Sequence, residues 1–307
     1  MTDKAYHVAL ATTPGIGPRT FAALVERFGS PRAVFSADAD ELLQVPRVTA
    51  ETVALLRECD LDAVENELYA LSEDSIAVIP RDDDAYPANL AHIPDAPPVL
   101  FVRGALRADD ARAVAIVGTR EASARGKRVA ADLAYGFAAR GFTVVSGLAR
   151  GIDTAAHIGA LASRGEGRTL AVLGSGIRVI HPHENTELAD RIANGRGAVL
   201  SEFHPNAPPQ GRNLMVRDRV ISGLARGVIV VEAAPDSGSL DTAKRARRQA
   251  RLVFAVVGGG AGAEDLLRAG ARAIDADAID WDGIVRELAD WKPDVPREDT
   301  TKQIPLM

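Results

Sequence analysis

The rhythm of apolar and polar positions changes twice along this chain. Through residues 1–73 apolar side chains recur at helical spacing. Phe21, Leu24, Val25 and Phe28 form one stripe, and Val53, Leu56, Leu61, Val64 and Leu68 another. The breaks between stripes are short: Pro14-Gly15-Ile16-Gly17-Pro18, Gly29-Ser30-Pro31 and Pro46-Arg47. This predicts a small all-helical domain. Residues 74–110 carry Pro80, Pro87, Pro94, Pro97 and Pro98 around two apolar runs, Ile76–Ile79 and Val99–Val102. They read as a linker with edge strands, because proline is tolerated at a sheet edge and not in a central strand. From residue 111 apolar runs alternate with helical stretches. The runs are Val114–Val117, Phe142–Val145, Leu170–Leu173, Ala198–Leu200, Val228–Val231, Leu252–Val257 and Ala271–Ile274. Continuous runs between helices indicate strands covered on both faces, hence a mostly parallel sheet with crossover helices, an α/β fold spanning 74–292. The last helix is expected at about 280–291. The polar segment 293–307 is expected to be a disordered tail.

Most of these runs end in glycine or a small polar residue. In an open parallel sheet ligands bind beyond the carboxyl ends of the strands, so the glycine loops gather on the ligand-binding edge. Gly118-Thr119-Arg120 follows the first run and combines free N–H groups with a charge-assisted donor. An arginine after a glycine turn is equally often a solvated residue. Ser146-Gly147-Leu148-Ala149-Arg150-Gly151-Ile152-Asp153 offers backbone donors, a hydroxyl and Arg150, which suits a phosphate. Asp153 is placed to cap the helix carrying His157; an acid–base pair of the two is the alternative, and a histidine packed between helix and sheet is the commoner arrangement. Gly174-Ser175-Gly176 ends the third run. Ser237-Gly238-Ser239 ends a fourth loop at a helix start, where N–H and O–H donors face an anion.

Composition narrows the function. With a formal charge of −6 over 307 residues, any contact with nucleic acid has to be a local patch. The single cysteine, Cys59, excludes an internal disulfide and a cysteine metal cluster. The longest uncharged apolar run, Leu252–Ala263, is too short to span a bilayer, and Met1–Lys4 lacks a signal-peptide pattern. A cytoplasmic protein without membrane contact is expected.

The motifs SGLARGID (146–153), LGSG (173–176) and VIVVEAAPDSGSLDTA (228–243), followed by VFAVVG (253–258), resemble in order and spacing the DNA-processing family known as DprA or Smf. Gly118-Thr119-Arg120 is similar to that family's glycine-serine-arginine loop. The resemblance covers about 75–275 and implies a Rossmann-like fold. It implies a protein that binds single-stranded DNA, dimerises and hands the strand to a RecA-type recombinase in natural transformation or repair, without a cofactor or a chemical step. It places Gly118, Thr119, Arg120, Ser146, Gly147, Arg150, Gly151, Gly174, Ser175, Gly176, Ser237, Gly238 and Ser239 around a phosphate pocket. One segment departs from the family. An asparagine-phenylalanine-proline-arginine-arginine-asparagine-arginine run is represented by Asn213-Leu214-Met215-Val216-Arg217-Asp218-Arg219. Arg217 and Arg219 are kept as phosphate contacts. The aromatic becomes Leu214, an arginine becomes Val216 and the asparagine becomes Asp218. Aromatic stacking contributes about 1–3 kcal/mol per base, and Asp218 would repel phosphate.

Lys244, Arg245, Arg247, Arg248 and Arg251 lie on or near one predicted helix. Lys244, Arg248 and Arg251 would share a face as a phosphate-tracking stripe; a solvated helix face is the alternative. Pro14–Pro18 resembles a helix–hairpin–helix turn, and Leu43–Leu56 a degenerate second copy around Val45-Pro46-Arg47-Val48. A packing hairpin of a SAM-like bundle is the alternative. Gly258–Ala263 with Asp275 mimics a dinucleotide fingerprint, but in the last βα unit instead of the first. His181, His183, Glu184 and His204 could be read as metal ligands, although Glu184-Asn185 also fits a family turn that holds no metal. Gln303-Ile304-Pro305-Leu306-Met307 is similar to sliding-clamp-binding peptides. Two other functions remain open on the same fold: a nucleotide-binding sensor, and a phosphoribohydrolase-like enzyme whose PGGxGTxxE motif is not found here.

Overall fold

The computed structural model describes residues 1–165 and 167–293. Helices α1 (Asp3–Thr12), α2 (Pro18–Phe28), α3 (Pro31–Ser36), α4 (Ala39–Leu43), α5 (Ala50–Arg57) and α6 (Leu61–Glu73) come first. Their starts are capped locally: Ser30, Thr49 and Asp60 each accept an N–H from the first turn. Gly29 ends α2 in the left-handed conformation. Leu10, Leu24, Val34, Leu42, Val53 and Leu56 form a core of their own. Val8 of α1 and Leu71 of α6 pack elsewhere, onto the main sheet.

The remainder runs β1 (Ile76–Pro80), α7 (Ala88–Ala91), β2 (Val99–Gly104), β3 (Ala113–Val117), α8 (Ala124–Ala139), β4 (Thr143–Ser146), α9 (Ile152–Ala162), β5 (Thr169–Val172), α10 (Thr186–Ala193), β6 (Gly197–Ser201), α11 (Gly211–Leu224), β7 (Gly227–Val230), α12 (Gly238–Arg248), β8 (Leu252–Val256), α13 (Ala261–Arg268), β9 (Arg272–Ile274) and α14 (Trp281–Asp290). Among the described residues the sheet order is β1-β2-β6-β5-β4-β3-β7-β8-β9. The seven strands β3 to β9 are mutually parallel, and β1 and β2 are antiparallel additions. Each of the seven apolar runs from residue 111 onward is a strand of this sheet. The stretch 74–110 is not a linker. It contributes β1 at the sheet edge, and β2 is interior, hydrogen-bonded to β1 on one side and β6 on the other. The prolines do not prevent this, because Pro97 and Pro98 precede β2 and Pro80 closes β1.

The continuous runs have the physical cause that the pattern implied. On β3, Ala113, Ala115 and Val117 face α11 and α12 through Val220, Ile221, Leu224, Ala243 and Ala246. Val114 and Ile116 face α8 and α9 through Leu133, Phe137, Ile152 and Ala156. Helix α14 is held by Trp281, whose ring lies edge-on to Phe137 at 5.1 Å. From β3 the chain winds outward to β4, β5 and β6, then returns to lay β7, β8 and β9 on the other side. The carboxyl ends of β3, β4 and β7 therefore border the point where the winding reverses, which is where an open α/β sheet leaves a crevice. No described helix is long and apolar enough to cross a membrane.

Candidate functional site

The loops after β3, β4 and β7 enclose a cleft of about 470 Å³ at this reversal point, with the first turns of α11 as its fourth wall. Gly118, Thr119 and Arg120 enter from β3, Ala149 and Asp153 from the β4–α9 loop, Leu214, Met215 and Arg217 from α11, and Ser237, Gly238 and Ser239 from the start of α12. A smaller recess of about 140 Å³ adjoins it and shares Arg120, Ala149, Leu214 and Arg217, adding Gly147, Arg150 and His181. The structure thus brings Arg120, Arg150 and Ser237 to one surface. Of the first-turn N–H groups of α12, that of Leu240 donates to Ser237 O at 3.0 Å, while those of Gly238 and Ser239 have no partner within the helix, and nothing would obstruct even a β-carbon on Gly238. Ser237 and Ser239 share a hydroxyl hydrogen bond of 2.8 Å at the same place.

Other residues assigned to the pocket serve as its scaffold. The Ser146 hydroxyl is buried and donates to Ile116 O at 2.7 Å; the Ser175 hydroxyl donates to Val179 O at 2.6 Å. Neither faces the cleft. Gly174 packs against Leu214, and Gly176 against the carbonyls of His204 and Pro205, so their small size serves close packing. Gly151 does the same against Thr119 and Arg120. Arg219 is buried and bound to both oxygens of Glu202, at 2.5 and 2.6 Å, with Asp95 at 3.4 Å. It faces away from the rim and is not free for phosphate. On α12, Lys244 and Arg248 are exposed, but they do not line the cleft. Arg251 lies beyond the helix end, buried, donating to Asn89 O and Gly223 O. The stripe of three is therefore two residues.

Arg217 also has a different task from the one expected. Its Nη1 donates to Gly147 O and Val172 O, both at 2.6 Å, and its Nε donates to Asp218 at 3.1 Å. The guanidinium ties α11 to the ends of β4 and β5 from inside the protein. Asp153 lies beneath the same loop and accepts N–H bonds from Gly147 (3.1 Å) and Ala149 (3.4 Å). Burial pushes its carboxyl up, against the opposing pull of Arg217. His157 does not pair with Asp153. Its Nδ1 meets Thr169 Oγ1 at 2.7 Å, and burial holds the ring neutral by lowering its pKa to about 3.

Positive charge at the cleft is scarce. Arg120 and Arg217 face four carboxylates, Glu121, Asp153, Asp218 and Asp236. Arg120 is exposed and has no ion pair among the described residues. Arg150 is held by Glu184 through two hydrogen bonds of 2.7 and 2.6 Å. The same hydrogen bonds lower the Glu184 pKa. Nothing local signals this pair, since 34 residues separate its members. Asp218 is pushed to about 6, chiefly by burial, with Arg217 opposing and Asp153 adding to the rise.

That elevation gives a prediction with a definite sign. An unfolded aspartate titrates near 3.9, so the folded protein holds this proton more tightly. The associated stability is present below about pH 4 and is lost as pH rises through about 6. Two units correspond to about 3 kcal/mol. Asp218→Asn keeps an acceptor for Arg217 and removes the charge. Its thermal midpoint should exceed that of the wild type at pH 7.5, and the gain should vanish near pH 4. A constant difference at both pH values would contradict the assignment.

Among the described residues no cluster of three or more side chains could hold a metal ion. Gly259, Gly260 and Gly262 pack closely on the loop after β7: β-carbons on Gly259 and Gly262 would approach Val231 O and Ala234 O to 2.3 and 2.5 Å. The peptide Gln303–Met307 lies outside the described residues.

Residues 77–282 match the family described as DNA recombination-mediator protein A, and residues 8–59 match SAM-like helix-hairpin-helix tandems. Protein Smf of Escherichia coli is 40% identical over 239 residues, covering 76% of this chain and 63% of that protein. DNA processing protein DprA of Bacillus subtilis is 41% identical over 213 residues, covering 67% and 71%. The chain thus aligns with less than two thirds of the length of Smf. The X-ray structure of DprA from Streptococcus pneumoniae matches with a TM-score of 0.77 at 30% identity, over 95% of this chain and 99% of that one. A structure of DprA from Helicobacter pylori, described by its single-stranded DNA binding mode, matches with a TM-score of 0.60 at 25% identity, over 71% and 97%. The chain belongs to the DNA recombination-mediator protein A family.

Proposed function

We propose that this protein binds single-stranded DNA across the cleft at the carboxyl ends of β3, β4 and β7, and holds it for a RecA-type recombinase as a cytoplasmic homodimer. The observation that carries the reading is the meeting of Arg120, Arg150 and the start of α12 on one surface. Exposed arginine and unpaired N–H groups grip phosphates without altering them. The family match and the binding mode named for the Helicobacter relative support the same ligand. The action is positioning. His157 is buried and engaged with Thr169, so it offers no general base to a substrate; the exposed His181 borders the adjoining recess and not the main cleft.

A smaller ligand is the second reading. A cleft of about 470 Å³ falls within the roughly 300–1,000 Å³ typical of small-molecule sites. A nucleotide sensor or a phosphoribohydrolase would use that volume. Incubation with nucleoside monophosphates, followed by a search for released base, separates the two.

Titration with a labelled oligonucleotide tests the main reading. Arg120→Ala should weaken binding by about 1–3 kcal/mol, roughly 5- to 150-fold. Glu184→Gln should act in the opposite direction. It releases Arg150 from a solvent-screened surface ion pair, so binding tightens by up to about fivefold. Unchanged affinity in Arg120→Ala would remove the cleft from consideration.

A further inference from the structure

A second cleft, of about 450 Å³, opens between the N-terminal helices and the main sheet. Its charge balance is the reverse of that at the rim. Five arginines and two carboxylates line it, in a chain whose formal charge is −6. The two carboxylates, Asp95 and Glu202, are both engaged by Arg219. Arg245 is held by Asp241 at 2.6 Å. Arg19, Arg47 and Arg212 remain, all exposed and without an ion pair among the described residues.

These three come from separate parts of the chain. Arg19 follows Gly17-Pro18 in the first helical hairpin, Arg47 sits in the second, and Arg212 stands in the first turn of α11. Both hairpin turns therefore face the main sheet across a common gap. The wall between this gap and the rim cleft is one helix. Leu214, Met215 and Arg217 of α11 line the rim, and Arg212, Asn213 and Val216 line the second cleft. A helix with its side chains is about 10 Å across, a distance that a few nucleotides of strand cover.

We propose that the second cleft binds a further stretch of DNA backbone, continuous with the strand held at the rim, through Arg19, Arg47 and Arg212. The inference rests on the rim being a DNA site, and it extends the footprint over the start of α11 onto both hairpins. Unpaired arginines that converge from three elements across an open gap suit a run of phosphates, because each neutralises one charge and releases its counterion. Carboxylates that could repel the backbone are already paired with Arg219. The shared chemistry is the phosphodiester chain, contributed by a single strand or by an adjoining duplex.

The test compares three labelled probes on the full chain: a 6-nucleotide single strand, a 30-nucleotide single strand, and a duplex bearing a 6-nucleotide tail. Arg47→Glu/Arg212→Glu should bind the shortest probe like the wild type. It should lose at least tenfold on one or both of the longer probes, and the probe that loses identifies the strand type. The slope of log affinity against log salt on that probe should also fall, by about 0.7 for each single-strand contact removed or 0.9 for each duplex contact. Arg47→Lys/Arg212→Lys, which keeps the charges, should restore binding, and this separates charge from damage to the fold. Wild-type affinity and salt slope on both longer probes would overturn the proposal. If Arg120→Ala leaves the shortest probe unaffected, the rim reading fails instead, and a loss in the second cleft would still be seen on the longer probes.

Discussion

Arg217→Met is expected to destabilise the protein by about 3–5 kcal/mol, the usual cost of removing one partner from a buried ion pair. The side chain is 4% exposed and supplies the positive charge nearest to two buried carboxylates, Asp153 and Asp218. It also donates to the carbonyls of Gly147 and Val172. Methionine fills the volume and satisfies none of these groups. The loss should depend on pH. Without Arg217 both carboxyl pKa values rise further, so the cost is larger at pH 8 than at pH 5, where the folded state takes up protons. Urea denaturation at the two pH values measures this. An equal loss at both would show that packing, and not charge, is what Arg217 contributes.

Gly151→Ala is expected to cost about 3 kcal/mol or more and to impair the rim at the same time. Gly151 has φ +76°, a region that side chains rarely adopt, and a β-carbon there would sit 2.4 Å from Thr119 O and 2.6 Å from Arg120 O. Backbone strain contributes about 1–3 kcal/mol and overpacking a similar amount. Relief can come only by separating the two loops that carry Arg120 and Arg150. Thermal denaturation and single-strand titration should therefore both register the change. A variant that melts lower yet binds normally would show that the relative position of the two loops is unimportant.

Gly151 belongs to SGLARGID, and its small size is required, but for loop packing instead of phosphate approach. Arg217 and Arg219 stood out as cations of a DNA-binding segment. Both are consumed internally, by Gly147, Val172 and Asp218 in one case and by Glu202 and Asp95 in the other. The departure at Asp218 follows from the same arrangement: the carboxylate lies against Arg217, inside the protein as much as in the cleft. Arg19 and Arg212 carry no signal in the sequence, since neither belongs to a cluster or a motif. Arg47 is marked in the sequence only as part of a degenerate turn.

The sequence alone determined that the apolar runs from residue 111 onward are strands, where the apolar stripes of the N-terminal helices lie, and that the glycine loops share one edge of the sheet. Those properties follow from spacings of two to four residues, which backbone geometry converts directly into faces. Only the tertiary structure decided which arginines are available to a ligand. Availability depends on partners brought together from distant points: Arg217 meets Gly147 across 70 residues, and Arg150 meets Glu184 across 34. A cation's letter in the sequence is the same whether it is buried against a carbonyl or open to solvent, and only packing distinguishes the two.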